Sequence, residues 1–201
     1  MALLTLRVEG DPILRKKAKP VNEINDATRD LLDAMVETMK EKEGVGLAAP
    51  QVGRLRRMIT IDVGEGIYKM INPEIIERSE EQQLDVEGCL SVPQFNGTVY
   101  RPKRVVVSYQ DEEGAAKIVQ AEGLFARCLC HEIDHLNGVL FRDLVEKEID
   151  LVHPTEEQVE YLHEHHLLEG NDGNGENGEN ENEEKQNEEQ TNPLPSTKGE
   201  A

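Results

Sequence analysis

The sequence predicts an α+β fold: small, mostly antiparallel β-sheets packed around a central helix that carries the stretch HEIDH, with further helices on the amino- and carboxy-terminal sides. Three observations carry this reading. Two strongly helical segments, near residues 26–43 and 124–137, flank a series of short β-rich runs. Those runs follow one another without the regular strand-helix alternation of a parallel sheet. At residue 170 the composition changes abruptly, so the folded part is expected to be one domain over 1–169, followed by a disordered acidic tail over 170–201.

The first helix begins in NDATRDLLDAMVETMKEKEG, with Asn25 or Asp26 as its cap. Leu31, Leu32, Met35, Val36 and Met39 then recur at helical spacing, and Gly44 provides a stop. MITIDV at 58–63, TVYRPKRVVVSYQD at 98–111 and AKIVQA at 116–121 are rich in β-formers and bounded by Gly, Pro or Asn-Gly. LFARCLCHEIDHLN contains neither Gly nor Pro, and Gly138 follows in the place of a left-handed cap. Thr155 and Gln158 form a capping-box pattern that opens a last helix. The tail beyond it is nearly free of apolar residues and cannot bury enough surface to offset its chain entropy. A solubilising extension is its expected role.

The 201 residues include 41 acids and 22 bases, a net charge of -19, and residues 1–169 are acidic even without the tail. This argues against broad electrostatic attraction to nucleic acid, with no direct DNA binding expected, or to an anionic membrane. Aromatic residues are 3% and Trp is absent, so the core is built from Leu, Ile, Val and Met. Cys89, Cys128 and Cys130 make an odd number, which favours reduced thiols over a disulfide framework. The opening MALLTLRVEGD is too short in apolar length for a signal peptide, and no apolar run approaches a membrane span. The expected location is the cytoplasm.

HEIDH places His131 and His135 four residues apart, about 40° apart in direction on a helix, where both can grip one ion. Glu132 is offset by about 100° from His131, in keeping with a base and not a ligand. Leu124, Cys128, His131 and His135 share one narrow stripe, so that face turns inward. Two histidines leave a catalytic ion short of a third protein ligand. His153, His163, His165 and His166 are available downstream, and Cys89 upstream in the short loop VEGCLSVP.

Three segments, GVGLAAPQ at 44–51, EGCLSVP at 87–93 and HEIDHLNG at 131–138, closely resemble the signature motifs of peptide deformylases in order and spacing. The EGCLSVP form resembles the bacterial type 1 class, and the likeness runs from VEGDPILRKKAKPV to about residue 150. The resemblance implies Cys89, His131 and His135 as ligands of one divalent metal, Fe2+ by preference, with Zn2+, Ni2+ or Co2+ able to replace it. It implies removal of the formyl group from N-formylmethionine of nascent polypeptides, with release of formate. Glu132 would be the general acid/base, while Gln51 and the Leu90 N–H would stabilise the oxyanion.

Val45 and Gly46 would then bind the peptide through their main chain. Val45, Leu124, Cys128 and the ring face of His131 would line the methionine pocket, with Arg127 at its edge. A plain surface arginine is the competing account of Arg127. Cys128 reads as a buried thiol, Cys130 as core, and Arg101 as a partner that braces the Cys89 loop through Glu87. Two other readings remain: a zinc endopeptidase with a ligand in 150–170, and a structural zinc held by Cys89, Cys128, Cys130 and His131. Some members of the resembled family contact the ribosome through a basic carboxy-terminal helix. Here EEQVEYLHEHHLLE is acidic, so any transient ribosome contact requires another surface.

Overall fold

The computed structural model describes residues 3–168; the expected disorder over 170–201 lies outside them. Helix α1 spans Asp26–Glu41 and opens with the Asn25 side chain accepting from the Thr28 N–H. It does not end on the expected glycine alone. Glu43 takes the left-handed conformation, with φ 55°, and the Gly44 N–H then reaches back to the Met39 carbonyl at 2.9 Å. Gly44 serves a different need, because a Cβ there would lie 2.8 Å from Leu90 Cδ1.

Strands β1 (Gly46–Ala48), β2 (Met58–Asp62) and β3 (Ile67–Arg78) follow, then the hairpin of β4 (Gln82–Cys89) and β5 (Val92–Pro102). β6 (Arg104–Gln110) and β7 (Ala116–Glu122) precede helix α2 at Gly123–Leu136, and the chain continues through β8 (Lys147–Ile149) to helix α3 at Glu156–Glu164. All pairings between these strands are antiparallel, in a five-stranded sheet ordered β1-β2-β3-β6-β7 and a three-stranded sheet ordered β4-β5-β8. The α+β expectation is borne out.

Three strands carried weaker sequence signals. β3 contains Pro73 and an Asn72 at φ 52°, and its register with β6 shifts between Ile71 and Glu74, which breaks the alternation. β4 is polar along most of its length. β1 is only three residues long and buried throughout, so it shows no alternation. The segment around Cys89 is consequently not a free loop: Cys89 is the last residue of β4 and pairs with Val92 across the hairpin end.

Helix α2 lies between the sheets. Phe125, Leu129, Ile133 and Leu136 fall on one helical face and pack with Ile59, Ile61, Met70, Val105 and Val107 of the larger sheet. α1 adds Leu32, Met35 and Met39 to a second cluster with Leu47, Met58 and Ile71. Leu14, Val92, Val99, Leu140 and Phe141 form the third, beneath the smaller sheet. α2 closes at Gly138, φ 78°, where a Cβ would also lie 2.6 Å from the Arg15 carbonyl oxygen. Among the described residues no helix is long and apolar enough to cross a membrane.

Candidate active site

Packing one face of α2 on the larger sheet turns Cys128, His131, Glu132 and His135 towards the β4–β5 hairpin. Cys89 meets them from the hairpin end, and one ligand atom each of Cys89, His131 and His135 lies within 4.8 Å of the others. Cys89 Sγ is 3.2 Å from His135 Nε2. His131 Nδ1 lies 3.0 Å from Glu87 Oε2, which leaves Nε2 for the shared centre. One soft thiolate donor and two imidazoles within such a distance suit a divalent transition metal. The residues fit the ion.

The surroundings fix these donors. Glu87 is buried and receives both Arg101 Nε at 2.9 Å and Nη2 at 3.0 Å. Arg127 Nη1 adds a contact at 2.7 Å, and Arg101 Nη1 also reaches Asp134. Burial opposes ionisation of Glu87, but hydrogen bonds from His131 and Arg101 outweigh it and hold the carboxyl well below the usual carboxylate range. Burial likewise opposes charge on His131, yet its contacts with Cys89 and Glu87 raise its pKa well above normal. His135 is shifted the other way by burial and by the neighbouring His131. A carboxylate held on the far nitrogen of a ligating imidazole fixes its tautomer and orientation.

Glu132 has a different environment. It is buried, Oε2 has no hydrogen-bond partner among the described residues, and burial above all lifts its pKa to about 7, with the charges of Glu87 and Asp134 adding to the effect. A carboxyl poised near neutrality can take up and release a proton. Gln51 is 1% exposed. Its Oε1 accepts from the Ala48 N–H at 2.7 Å, which orients Nε2 towards Cys89 Sγ at 3.6 Å and Ser91 Oγ at 3.2 Å.

A cleft of about 390 Å³ opens onto this centre and is lined by Val45, Gly46, Gln51, Leu90, Leu124, Arg127, Cys128, His131 and Glu132 among others. Its volume falls in the usual small-ligand range, roughly 300–1,000 Å³. Val45 and Leu124 present exposed apolar side chains at the mouth. β1 is a sheet edge, and the Val45 carbonyl is already taken by the Asp62 N–H at 2.9 Å. Strand alternation then turns the Gly46 N–H and C=O to the open side. A Cβ on Gly46 would lie 2.8 Å from Cys128 Sγ and 2.9 Å from Glu132 Cδ, so only glycine lets the strand approach α2 so closely.

Arg127 is not a surface arginine. It is 5% exposed, and its guanidinium also donates to the Val99 carbonyl at 3.0 Å and the Gln83 carbonyl at 2.8 Å. The cleft therefore meets a side chain whose charged head is tied to Glu87 and the smaller sheet. Cys128 is buried, and burial keeps its thiol protonated, while Cys130 packs in the larger core with a pKa pushed to about 11. His153, His163, His165 and His166 are exposed and do not join the centre. Of this cluster only the Arg101–Glu87 brace was legible, and the tie of Arg127 to Glu87 was not, because nothing in the linear sequence marks an acid in a strand as buried.

A cysteine and two histidines converging beside a buried carboxyl, at the floor of a cleft, are an arrangement suited to metal-dependent hydrolysis. Residues 3–149 match the family described as polypeptide deformylase. A peptide deformylase of Thermoanaerobacter sp. (strain X514) is 52% identical over 161 residues, covering 80% of this chain and 95% of that protein. That of Caldanaerobacter subterraneus subsp. tengcongensis is 55% identical over 150 residues, covering 75% and 94%. Among solved structures, peptide deformylase from Thermotoga maritima superposes with a TM-score of 0.72 at 44% identity, covering 73% of this chain and 99% of that one. One from Synechococcus elongatus, in complex with actinonin, gives 0.70 at 42% identity, covering 82% and 86%. The chain belongs to the polypeptide deformylase family, and is a hydrolase that removes formyl groups from polypeptides in protein biosynthesis.

Proposed function

We propose that this chain hydrolyses the amino-terminal formamide of N-formylmethionyl nascent polypeptides and releases formate, using Cys89, His131 and His135 to hold one divalent ion. The observation that carries this reading is the convergence of those three donors beside the unpartnered carboxyl oxygen of Glu132. The donor set suits Fe2+, and Zn2+, Ni2+ or Co2+ can occupy it. When bound, the ion would supply an electrophile that makes water acidic enough to attack near neutral pH.

The chain's own residues do the rest. The peptide adds to the free edge of β1 through the Gly46 main chain, which holds it extended whatever residues follow the methionine. The methionine side chain enters between Val45, Leu124 and Cys128, over the ring of His131. Arg127 shapes the rear of this pocket while its guanidinium stays on Glu87. Glu132 takes the proton from the attacking water and passes it to the departing amine. Gln51 Nε2 and the Leu90 N–H donate to the oxygen that becomes negative, and neither carries a charge that would compete for the nucleophile.

Formate release from formyl-Met-Ala-Ser by anaerobically iron-loaded protein tests the reading. Glu132→Gln should keep the metal and lose nearly all turnover. Substantial formate release by that variant would remove Glu132 from its role, and none from the wild type would overturn the reaction.

A further inference from the structure

Leu90 and Ser91 make the two-residue turn between β4 and β5, directly after Cys89. Turn residues ordinarily face water, yet Ser91 is fully buried, and a hydroxyl withdrawn from water needs a partner. Its Oγ accepts from Gln51 Nε2 at 3.2 Å, across forty residues of sequence. The Ser91 main chain is engaged as well: its N–H donates to Cys89 Sγ at 3.4 Å, and its carbonyl accepts from the Glu9 N–H at 2.7 Å.

Gln51 sits in the short helical turn Ala49–Val52, and its side-chain amide is planar, with one acceptor oxygen and two donor hydrogens. Oε1 takes the Ala48 N–H at 2.7 Å, and the reverse orientation would set two donors against each other, so the network fixes which end is which. The terminal torsion of a glutamine is broad and holds the amide plane poorly by itself. With Oε1 held by Ala48 and one N–H held by Ser91, that plane cannot turn. The second N–H is left one direction, towards Cys89 Sγ at 3.6 Å and the centre. The two turns are themselves held side by side by the amino-terminal segment, because the Arg7 N–H donates to the Gln51 carbonyl at 2.7 Å and the Glu9 N–H to that of Ser91.

We propose that Ser91 is a positioning residue, whose hydroxyl aims the Gln51 amide at the oxygen that becomes negative and sets its spacing from the Leu90 N–H. The inference rests on the proposed reaction, which gives Gln51 and Leu90 their roles. Leu90 precedes Ser91 in the same turn, so the Ser91–Gln51 bond joins the two donors into one frame. Donors to a developing charge are most effective when they are held in place before it forms. Ser91 does not line the cleft, so its effect passes through Gln51.

The test compares Ser91→Ala, Gln51→Met and the double variant in formate release, with metal analysis and heteronuclear NMR of zinc-loaded protein, in which the ion is diamagnetic. Ser91→Ala should lower kcat about tenfold with KM unchanged, against about a hundredfold or more for loss of the Gln51 donor itself. In the Gln51→Met background the same change should cost less than about twofold, because no amide is left to aim. The Gln51 side-chain amide signals should shift in Ser91→Ala while the metal is retained, since the N–H that reaches Cys89 belongs to the main chain. Unchanged kcat in Ser91→Ala, an equal loss in both backgrounds, or unmoved Gln51 amide signals would overturn the proposal. Absence of formate release by the wild type would count against the reaction, and the NMR comparison would still decide whether Ser91 holds the amide.

Discussion

Replacing Gly46 by alanine puts a methyl group where β1 meets α2. The added Cβ would lie 2.8 Å from Cys128 Sγ and 2.9 Å from Glu132 Cδ, against ordinary carbon contacts of about 3.5–4.0 Å. Neither backbone can retreat easily: Leu47 and Ala48 are fully buried and paired to β2, and Ala126 and Leu129 of α2 are fully buried in the core. The displacement of about 1 Å therefore falls on the Glu132 side chain. Overpacking of this kind costs about 1–3 kcal/mol, and a 1 Å misplacement of a reacting group about a hundredfold in rate. The three heavy atoms nearest to the methyl belong to Glu132 and Cys128, not to Cys89, His131 or His135. Formate-release kinetics and metal analysis of Gly46→Ala should show kcat reduced about a hundredfold with metal retained. Near-wild-type kcat, or loss of metal in step with activity, would refute the close approach as a constraint on the base.

Three further outcomes follow from the surroundings of the centre. Arg127→Met removes one cation from buried Glu87 and strands the Val99 and Gln83 carbonyls; chemical denaturation should show a loss of about 3 kcal/mol, and a loss under about 1 kcal/mol would contradict the tie. In the metal-free chain the Glu132 carboxyl titrates at about 7, above its usual 4.5, so the stability it contributes is full below about pH 4.5 and is lost as pH rises through 7. Relative to metal-free Glu132→Gln, the wild type should lose roughly 3 kcal/mol between pH 4.5 and 8, and parallel profiles would show that burial does not lift this group. Thiol titration of the native, metal-free protein should label Cys89 first and leave Cys128 and Cys130 slow, because burial holds both protonated; rapid labelling of all three would contradict that packing.

The two helices with strong amphipathic patterns and the capping box at Thr155 and Gln158 were legible because local interactions fix them. The strands around Asn72 and Gln83 were not, since a bulge breaks one pattern and buried ion pairs disguise the other. At the site, HEIDH offered two candidate donors through helical geometry, whereas Cys89 had no local mark and came from the resemblance. The depth of Arg127 was hidden for a similar reason: its fate depends on Glu87, forty residues away in sequence, and on two carbonyls of the smaller sheet. The Gly46 constraint is likewise a property of two elements meeting, not of either one.

The proposed reaction requires Cys89, His131 and His135 to share one ion. X-ray absorption at the metal edge of zinc-loaded protein reads that shell directly. It should show one sulfur at about 2.3 Å with nitrogen at about 2.0–2.1 Å, and the sulfur should vanish in Cys89→Ser. A sulfur shell that survives that substitution, or a second sulfur in the wild type, would place another cysteine on the ion and contradict the assignment.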